Sequence, residues 1–503
     1  MAKIALISIY DNMALGLRQI SSVLKKAGHH VSIIYLKKYE NIPKKNYPPG
    51  ATLDGINVGF GSKGEFAVCY PRVISDKEWE ILIDFLRENS FDFVGLSVTS
   101  KYINTARAVT IIIQDKLGLK VIWGGVEPTI NPDFDIQFAD YICVGEGDEA
   151  VVEFADRWAD KRDLTLIPNI WAKENGRIYR NNIRPLIQEL DKLPFSDFSP
   201  LGKYEISEDK LWNRQERDCQ DVYSINTSRG CPINCNFCIH HITRQMYKGQ
   251  RYVRKYSVDY VLGLLSEAKD KYGIKEVSFE DDVFTVDKIW LNDFLNRYKK
   301  DINLPYYCFV SPLHCSREVC IMLKETGAKN VRLGVQSGSQ RVLFELFDRK
   351  TPKNMMLKAA NNLSEARLNY SVDIISDNPL ENEDDCHETL EFLLSLPKPV
   401  RITGDMVFLM SFFPNYRITK IYQENIGKYK LDKNRYEFYN RLYLLSQYRP
   451  GRLVKILEKS RYFRRNPYKL RYFFPGQSPK IIQFIEEVIT MPIRIILNKI
   501  SLF

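Results

Sequence analysis

The chain has 503 residues, 45% of them hydrophobic and 27% charged, with a formal net charge of +10 and ten cysteines. That length accommodates two or three domains with their own cores, and the composition excludes a disordered or fibrous chain. Ten cysteines in this length do not make a disulfide scaffold, and the charge excess is local, so no nucleic-acid substrate follows from it.

The N-terminus, Met-Ala-Lys-Ile-Ala-Leu-Ile-Ser-Ile-Tyr, lacks the long apolar region and small-residue cleavage site of a signal peptide, and residues 3–8 predict a buried strand. Leu15, Leu17, Ile20, Val23 and Leu24 recur at helical spacing until Gly28 stops the pattern. A second strand is expected from His30 to Leu36, and apolar runs at 93–98, 120–123 and 141–144 predict three more. Helical patterns at 102–116 and 132–138 separate them. Strands alternating with helices imply a parallel sheet that binds ligands at its carboxyl edge. That edge carries Ser97 and Thr99, then Gly124 and Gly125 in Gly-Gly-Val-Glu-Pro-Thr129, then Gly145 in Gly-Glu-Gly-Asp-Glu149. Glycines at strand ends let a bulky planar ligand approach the backbone. Residues 1–150 therefore read as a first, Rossmann-like domain.

Residues 151–220 show little periodicity and prolines at 168, 185, 194 and 200, which predicts a linker. From 221 to 420 strand and helix patterns alternate again. Strands are expected at 222–227, 275–279, 306–309, 330–335, 370–375 and 405–410, enough for a partial (β/α)6 barrel with functional groups at the carboxyl ends of its strands. Directly after the first of these stands Cys231-Pro-Ile-Asn-Cys235-Asn-Phe237-Cys238. Three thiolates on one short loop suit an iron–sulfur cluster and leave one iron without a protein ligand. A Cys₃His zinc knuckle, using His240 or His241, fits the same spacing. The strand-then-loop placement, Phe237 and the long α/β pattern that follows favour the cluster. The other seven cysteines are scattered and expected to be buried thiols, which together with a labile cluster points to a reducing cytoplasm.

From Lys428 to Pro475 fourteen Lys and Arg stand against three Asp and Glu, interleaved with tyrosine and phenylalanine. The tail from Lys480 to Phe503 is apolar but broken by Pro492 and charged at Glu486, Glu487 and Arg494, so it makes a poor spanning segment. Peripheral membrane contact by this 421–503 extension competes with simple packing across the barrel, and packing is the favoured expectation.

The cysteine loop resembles the radical S-adenosylmethionine superfamily. The series Leu15-Gly-Leu17, Gly124-Gly-Val-Glu-Pro-Thr129 and Gly145-Glu-Gly147 resembles the cobalamin-binding domain fused to many of its members. The resemblance implies a [4Fe-4S] cluster on Cys231, Cys235 and Cys238, S-adenosylmethionine chelated to the open iron, and a 5′-deoxyadenosyl radical formed on reduction. It implies that Phe237 flanks the cofactor and that Asp281 and Asp282 meet its methionyl amino group. Gln336 and Ser337 stand in the Gly-x-Glu-Ser-Gly position, with Gln336 in place of the usual glutamate. Arg349 would pair with the methionyl carboxylate, and Asp373 would meet the ribose or the substrate. Ser97, Thr99, Gly124, Gly125 and Gly145 would hold cobalamin. The Asp-x-His-x-x-Gly loop of cobalamin-dependent mutases is missing, and no histidine lies between His30 and His240, so a base-off corrinoid is expected. The implied activity is a cobalamin-dependent methyltransferase acting at an unactivated carbon of a small-molecule or lipid-like substrate, supplied with electrons by a flavodoxin or ferredoxin. A radical oxidoreductase or cyclase that uses cobalamin differently or not at all is the second reading. A zinc-binding adaptor without catalysis is the third.

Overall fold

A computed structural model describes residues 1–37, 41–43, 57–60, 66–216, 221–376, 378–402, 407–426 and 432–474. The apolar tail from Lys480 onward lies outside them, as does Cys219.

The five expected strands of the first domain form as β1 (Lys3–Ile9), β2 (His30–Leu36), β3 (Phe93–Ser97), β4 (Lys120–Gly124) and β5 (Tyr141–Cys143). They are parallel, with β1 central between β2 and β3. Both faces of this sheet are covered, which is why its strands read as nearly continuous apolar runs. Helices α1 (Leu15–Lys26) and α4 (Asp148–Ala159) bury Leu17, Leu24 and Phe154 against Leu6, Phe93 and Ile122 on one face. On the other, α2 (Asp76–Asn89) and α3 (Ile103–Leu117) bury Leu82, Leu86, Val109 and Ile113 against Ile7, Val94 and Val121. A capping box at Ser75 and Glu78 starts α2, and Gly118 in the left-handed region ends α3.

The segment expected to be a linker is instead part of this domain. It supplies β6 (Ile170–Glu174) and β7 (Arg177–Tyr179) beside β5, and β8 (Lys203–Ser207) and β9 (Lys210–Asn213) beside β2. The result is one nine-stranded sheet in the order β7-β6-β5-β4-β3-β1-β2-β8-β9. Its irregular connections hid this: the partners of β6 and β8 lie far away in sequence, where local periodicity carries no trace of them.

The second domain is an open parallel sheet of six strands in sequence order: β10 (Val222–Ile225), β11 (Glu276–Phe279), β12 (Tyr306–Val310), β13 (Ala328–Gln336), β14 (Tyr370–Ser376) and β15 (Val407–Leu409). Helices α5 (Ile239–Met246), α6 (Val258–Tyr272), α7 (Lys288–Asp301), α8 (Arg317–Glu325), α9 (Lys353–Glu365) and α10 (Glu383–Ser395) connect them. Such order with right-handed crossovers makes the expected partial barrel. In β11, β12 and β13 fully buried residues (Val277, Tyr306, Val331, Leu333) alternate with half-buried ones, which gives a packed outer layer and a more open, polar lumen.

The C-terminal extension packs on the barrel with α11 (Arg417–Glu424), α12 (Lys433–Leu445) and α13 (Gly451–Lys459). Three tyrosines of α12 are core, while Tyr448, Tyr462 and Tyr468 are exposed. Tyr439 and Tyr443 are buried and donate to Glu383 Oε1 (2.7 Å) and the Cys386 carbonyl (3.0 Å) of α10, while Tyr436 donates to the Asn378 carbonyl. Among the described residues no helix is long and apolar enough to cross a membrane.

Candidate functional site

β10 ends at Ile225, and the chain turns through Thr227-Ser-Arg-Gly230 into the cysteine loop. Asp281, just past the end of β11, holds that turn in place. Its carboxylate accepts from the Thr227 N–H and hydroxyl, both at 3.0 Å, and from the Ser228 hydroxyl, and it is 1% exposed. Both oxygens are engaged and the side chain is buried, so Asp281 acts as a buttress of the loop. Asp282 points the other way, is open to solvent, and pairs with His240 Nε2 at 2.8 Å. The other nitrogen of His240 meets the Tyr252 hydroxyl at 2.7 Å.

The three thiols converge. Cys235 is buried and Cys231 and Cys238 are half-buried; Cys235 raises the pKa of both, and Cys231 raises that of Cys238. Burial pushes Cys231 and Cys238 up to about 12, and Cys235 also rises. A cation bound among them reverses that penalty by stabilising three thiolates. The trio therefore fits a cationic metal centre better than it fits three free thiols. The loop is also anchored. Asn236 donates from its backbone to the Phe347 carbonyl (2.9 Å) and from its side chain to the Leu346 carbonyl (3.0 Å), and Phe237 packs edge-on against Phe347. His240 is taken by Asp282 and Tyr252, and His241 lies one turn into α5 against Gln245, so neither is positioned as the fourth ligand of a zinc knuckle.

Arg349 is 5% exposed and reaches this centre, with Nη2 on the Gly334 carbonyl at 2.7 Å and Nη1 at 3.5 Å from Cys235 Sγ. Its Nε has no partner among the described residues. Gln336 sits at a bulge where β13 shifts register against β14, with φ 74°. Its neighbour Ser337 turns away: fully buried, it meets the Thr389 hydroxyl and accepts from the Ser339 N–H. Asp373 faces the lumen side of β14 and is held by Arg332 Nε at 2.5 Å.

At the carboxyl edge of the first sheet, Ser97 is half-buried and Thr99 exposed. Thr129 ties the two glycine loops together: its hydroxyl donates to the Gly125 carbonyl (2.7 Å) and accepts from the Gly145 N–H (3.1 Å). A cavity of about 330 Å³ opens here, lined by Gly95, Ser97, Gly124 and Cys143 on the sheet and by Ser224 and Arg229 from the barrel. Its walls are mainly apolar, which suits a flat ring system. The two glycines differ. A Cβ on Gly124 would meet nothing closer than Cys143 at 4.0 Å, whereas one on Gly125 would lie 2.9 Å from the Val98 carbonyl at a φ of 103°. We expect Gly124→Val to fold normally yet weaken retention of a corrinoid, and Gly125→Val to lower the thermal midpoint with or without ligand. Equal midpoints for the two would contradict this. Gly145 also lines the cavity, but on its Cβ side Tyr247 at the end of α5 fills the space and accepts from the Glu146 N–H at 3.2 Å. His29 and His30 lie at the opposite, amino-terminal edge, where His29 accepts from the Ala2 N–H, so the carboxyl edge carries no histidine.

Two buried carboxyls back this edge. Glu127 accepts from the Ser100 hydroxyl, and Asp135, fully buried with neither oxygen partnered, is pushed up to about 8 by burial and then by Glu127. Asp135 is thus protonated in the fold at neutral pH and ionised in the unfolded chain. Stability on its account is present below pH 4 and is lost as pH rises from about 4 towards 8. Asp135→Asn should flatten that dependence and raise the midpoint at pH 8 relative to wild type. Parallel pH–midpoint curves for the two proteins would contradict it.

The two domains meet through paired charges that sequence reading missed. Arg229, two residues before Cys231, grips Asp148 with both terminal nitrogens (2.7 and 2.9 Å), and Arg254 grips Glu146 likewise (3.0 and 2.6 Å). The Gly-Glu-Gly loop is thereby bolted to the cysteine loop. The one local signal was an arginine two residues before the first cysteine.

Comparison with known proteins agrees with this division. The family model described as Radical SAM superfamily matches residues 225–393, and that described as B12 binding domain matches residues 72–155. An uncharacterized methyltransferase of Pyrococcus horikoshii is 28% identical over 312 residues, covering 61% of this chain and 64% of that protein. The cytidylyl-2-hydroxyethylphosphonate methyltransferase of Streptomyces wedmorensis is 24% identical over 372 residues, covering 68% and 64%. The chain thus spans just under two thirds of either relative. Among solved structures, the cobalamin-dependent S-adenosylmethionine radical enzyme OxsB, with aqua-cobalamin and S-adenosylmethionine bound, superposes with a TM-score of 0.62 at 16% identity, over 88% of this chain and 66% of that one. The radical S-adenosylmethionine methyltransferase TsrM from Kitasatospora setae, with cobalamin and a [4Fe-4S] cluster, gives 0.62 at 14% identity, over 85% and 79%.

Proposed function

Because the chain belongs to the radical S-adenosylmethionine superfamily and carries a B12-binding domain ahead of its barrel, we propose that it is a cobalamin-dependent methyltransferase acting at an unactivated carbon. The observation that carries this reading is the Arg229–Asp148 pair, which fixes the cysteine loop against the glycine-lined edge of the first sheet. When bound, the cluster, S-adenosylmethionine and cobalamin would supply the radical and the methyl group. The chain's own residues do the rest. Cys231, Cys235 and Cys238 hold the cluster. Arg349 lies beside Cys235 with an unpartnered Nε, suited to the cofactor carboxylate once the Gly334 carbonyl is shared. The free acceptors nearest the cysteines are on Asp282, which makes it a better candidate than Asp281 for the methionyl ammonium. Gln336 and the Arg332–Asp373 pair line the lumen below, where the substrate would be oriented.

The relatives' names speak of a phosphonate ester and of tryptophan as substrates, and a small organic molecule is the class that this lumen suits. A cytoplasmic location and a protein electron donor belong to the same proposal. The test is to purify the protein without oxygen and measure iron, cobalt and the visible spectrum. We expect about four irons per chain, a broad charge-transfer band bleached by reduction, and cobalamin in the base-off form. Zinc without iron would overturn the reading.

A further inference from the structure

We infer that the groove between α5 and α11 is the docking face for a small acidic one-electron carrier protein. This rests on the reading of the cysteine loop as a cluster site, since that centre must gain one electron from outside before each cleavage. The carrier loses one electron and the cluster gains it; no other group changes oxidation state in that step.

Cys235 is 5% exposed, so the electron has to cross protein. One such route starts at α11. The Ile418 N–H donates to the carbonyl of Asn236 at 3.2 Å, and Asn236 is the residue directly after Cys235. Ile418 itself is fully buried between two exposed cations of the same helix, Arg417 and Lys420. One hydrogen bond and one peptide unit thus separate α11, whose Arg417 and Lys420 line the groove, from a cluster cysteine. On the facing wall, the His241 N–H donates to the Cys238 carbonyl at 3.1 Å, which ties α5 to the third cysteine in the same way.

The groove has a volume of about 620 Å³ and is lined by His241, Gln245, Asn415, Arg417, Lys420 and Glu424. Arg417 and Lys420 form no ion pair with any described residue, and Glu424 is the one acid in the lining. Unpaired basic side chains over a redox centre attract an acidic partner, steer its approach and leave the reaction dependent on salt. The other approaches to the cysteines are taken. The first domain's Gly-Glu-Gly loop bears on the Arg229 side and the barrel lumen on the Arg349 side.

The test uses the full, cluster-loaded enzyme and follows S-adenosylmethionine cleavage with two reductants: reduced flavodoxin, which is acidic, and titanium(III) citrate, which needs no docking. In Arg417→Glu/Lys420→Glu we expect the flavodoxin-supported rate to fall about ten-fold or more at low ionic strength, with the titanium-supported rate and iron content unchanged. Added salt should slow the wild type with flavodoxin and not with titanium. A variant that flavodoxin reduces as fast as wild type would overturn the docking face. So would loss of iron and of both rates in the milder Arg417→Gln/Lys420→Gln, which would make these residues structural supports of the loop. Wild-type protein that cleaves nothing with titanium(III) would instead reject the cluster reading itself.

Discussion

Replacing any one of Cys231, Cys235 and Cys238 by alanine is expected to abolish iron binding and S-adenosylmethionine cleavage together. The three side chains share one short loop whose backbone is pinned by Asn236 to the Leu346 and Phe347 carbonyls, so no neighbouring group can swing in to replace a lost ligand. Among the described cysteines the remaining ones lie buried elsewhere: Cys143 in the core of the first sheet, Cys308, Cys315 and Cys320 in the barrel core, and Cys386 on α10. With two thiolates left, the cluster loses protein ligands faster than solvent can replace them. The fold should survive, because the loop's anchors are backbone and Asn236, not sulfur. The loss in cleavage should exceed a thousand-fold, at the limit of detection, since no alternative route to the radical exists. Iron analysis and cleavage assays on anaerobically reconstituted variants check this. About four irons per chain in the triple alanine variant would sink the assignment.

The second large effect is expected at Arg229. Its guanidinium pairs bidentately with Asp148, whose side chain is 5% exposed, at the start of α4. Removing one member of a buried pair leaves an uncompensated charge and costs about 3–5 kcal/mol; the partial exposure of Arg229 places the expectation near about 3 kcal/mol. Arg229→Ala should therefore lower the thermal midpoint by several degrees and open the domain junction to proteolysis. Asp148→Ala alone should cost less, because Arg229 retains Glu146 nearby at 3.7 Å. The double variant should cost less than the sum, and that coupling is the signature of a direct pair. Strict additivity would show that the pair contributes nothing to domain docking.

Where residues close in sequence carried the signal, it was legible. All six barrel strands and five of the nine strands of the first sheet were marked by apolar runs, and the cysteine spacing named its chemistry. What escaped were pairings across long separations. Asp281 and Asp282 are chemically alike in sequence, yet one is consumed by Thr227 and Ser228, more than fifty residues away, and the other faces His240. Gly145 reads as an open approach and is filled on its Cβ side by Tyr247, about one hundred residues downstream. Ser337 reads as a cofactor contact and is turned into α10 by Thr389. In each case residue type was right for a site, and tertiary packing decided which member of the set stayed available.

The misread linker has a consequence for how the edges of the first sheet are protected. β7 and β9, the outermost strands, are three and four residues long and carry Arg177 and Lys210. Short, charged, antiparallel ends are poor templates for another chain. Without the two hairpins β6–β7 and β8–β9 the exposed borders would be β5 and β2, and β2 offers Val31, Ile33, Ile34 and Leu36 along a fully formed parallel edge. A fragment cut at residue 150 would present that adhesive border to its own copies and self-associate. The smallest piece of the first domain that stays in solution should end near residue 216, with both hairpins acting as bumpers against fibre-like stacking.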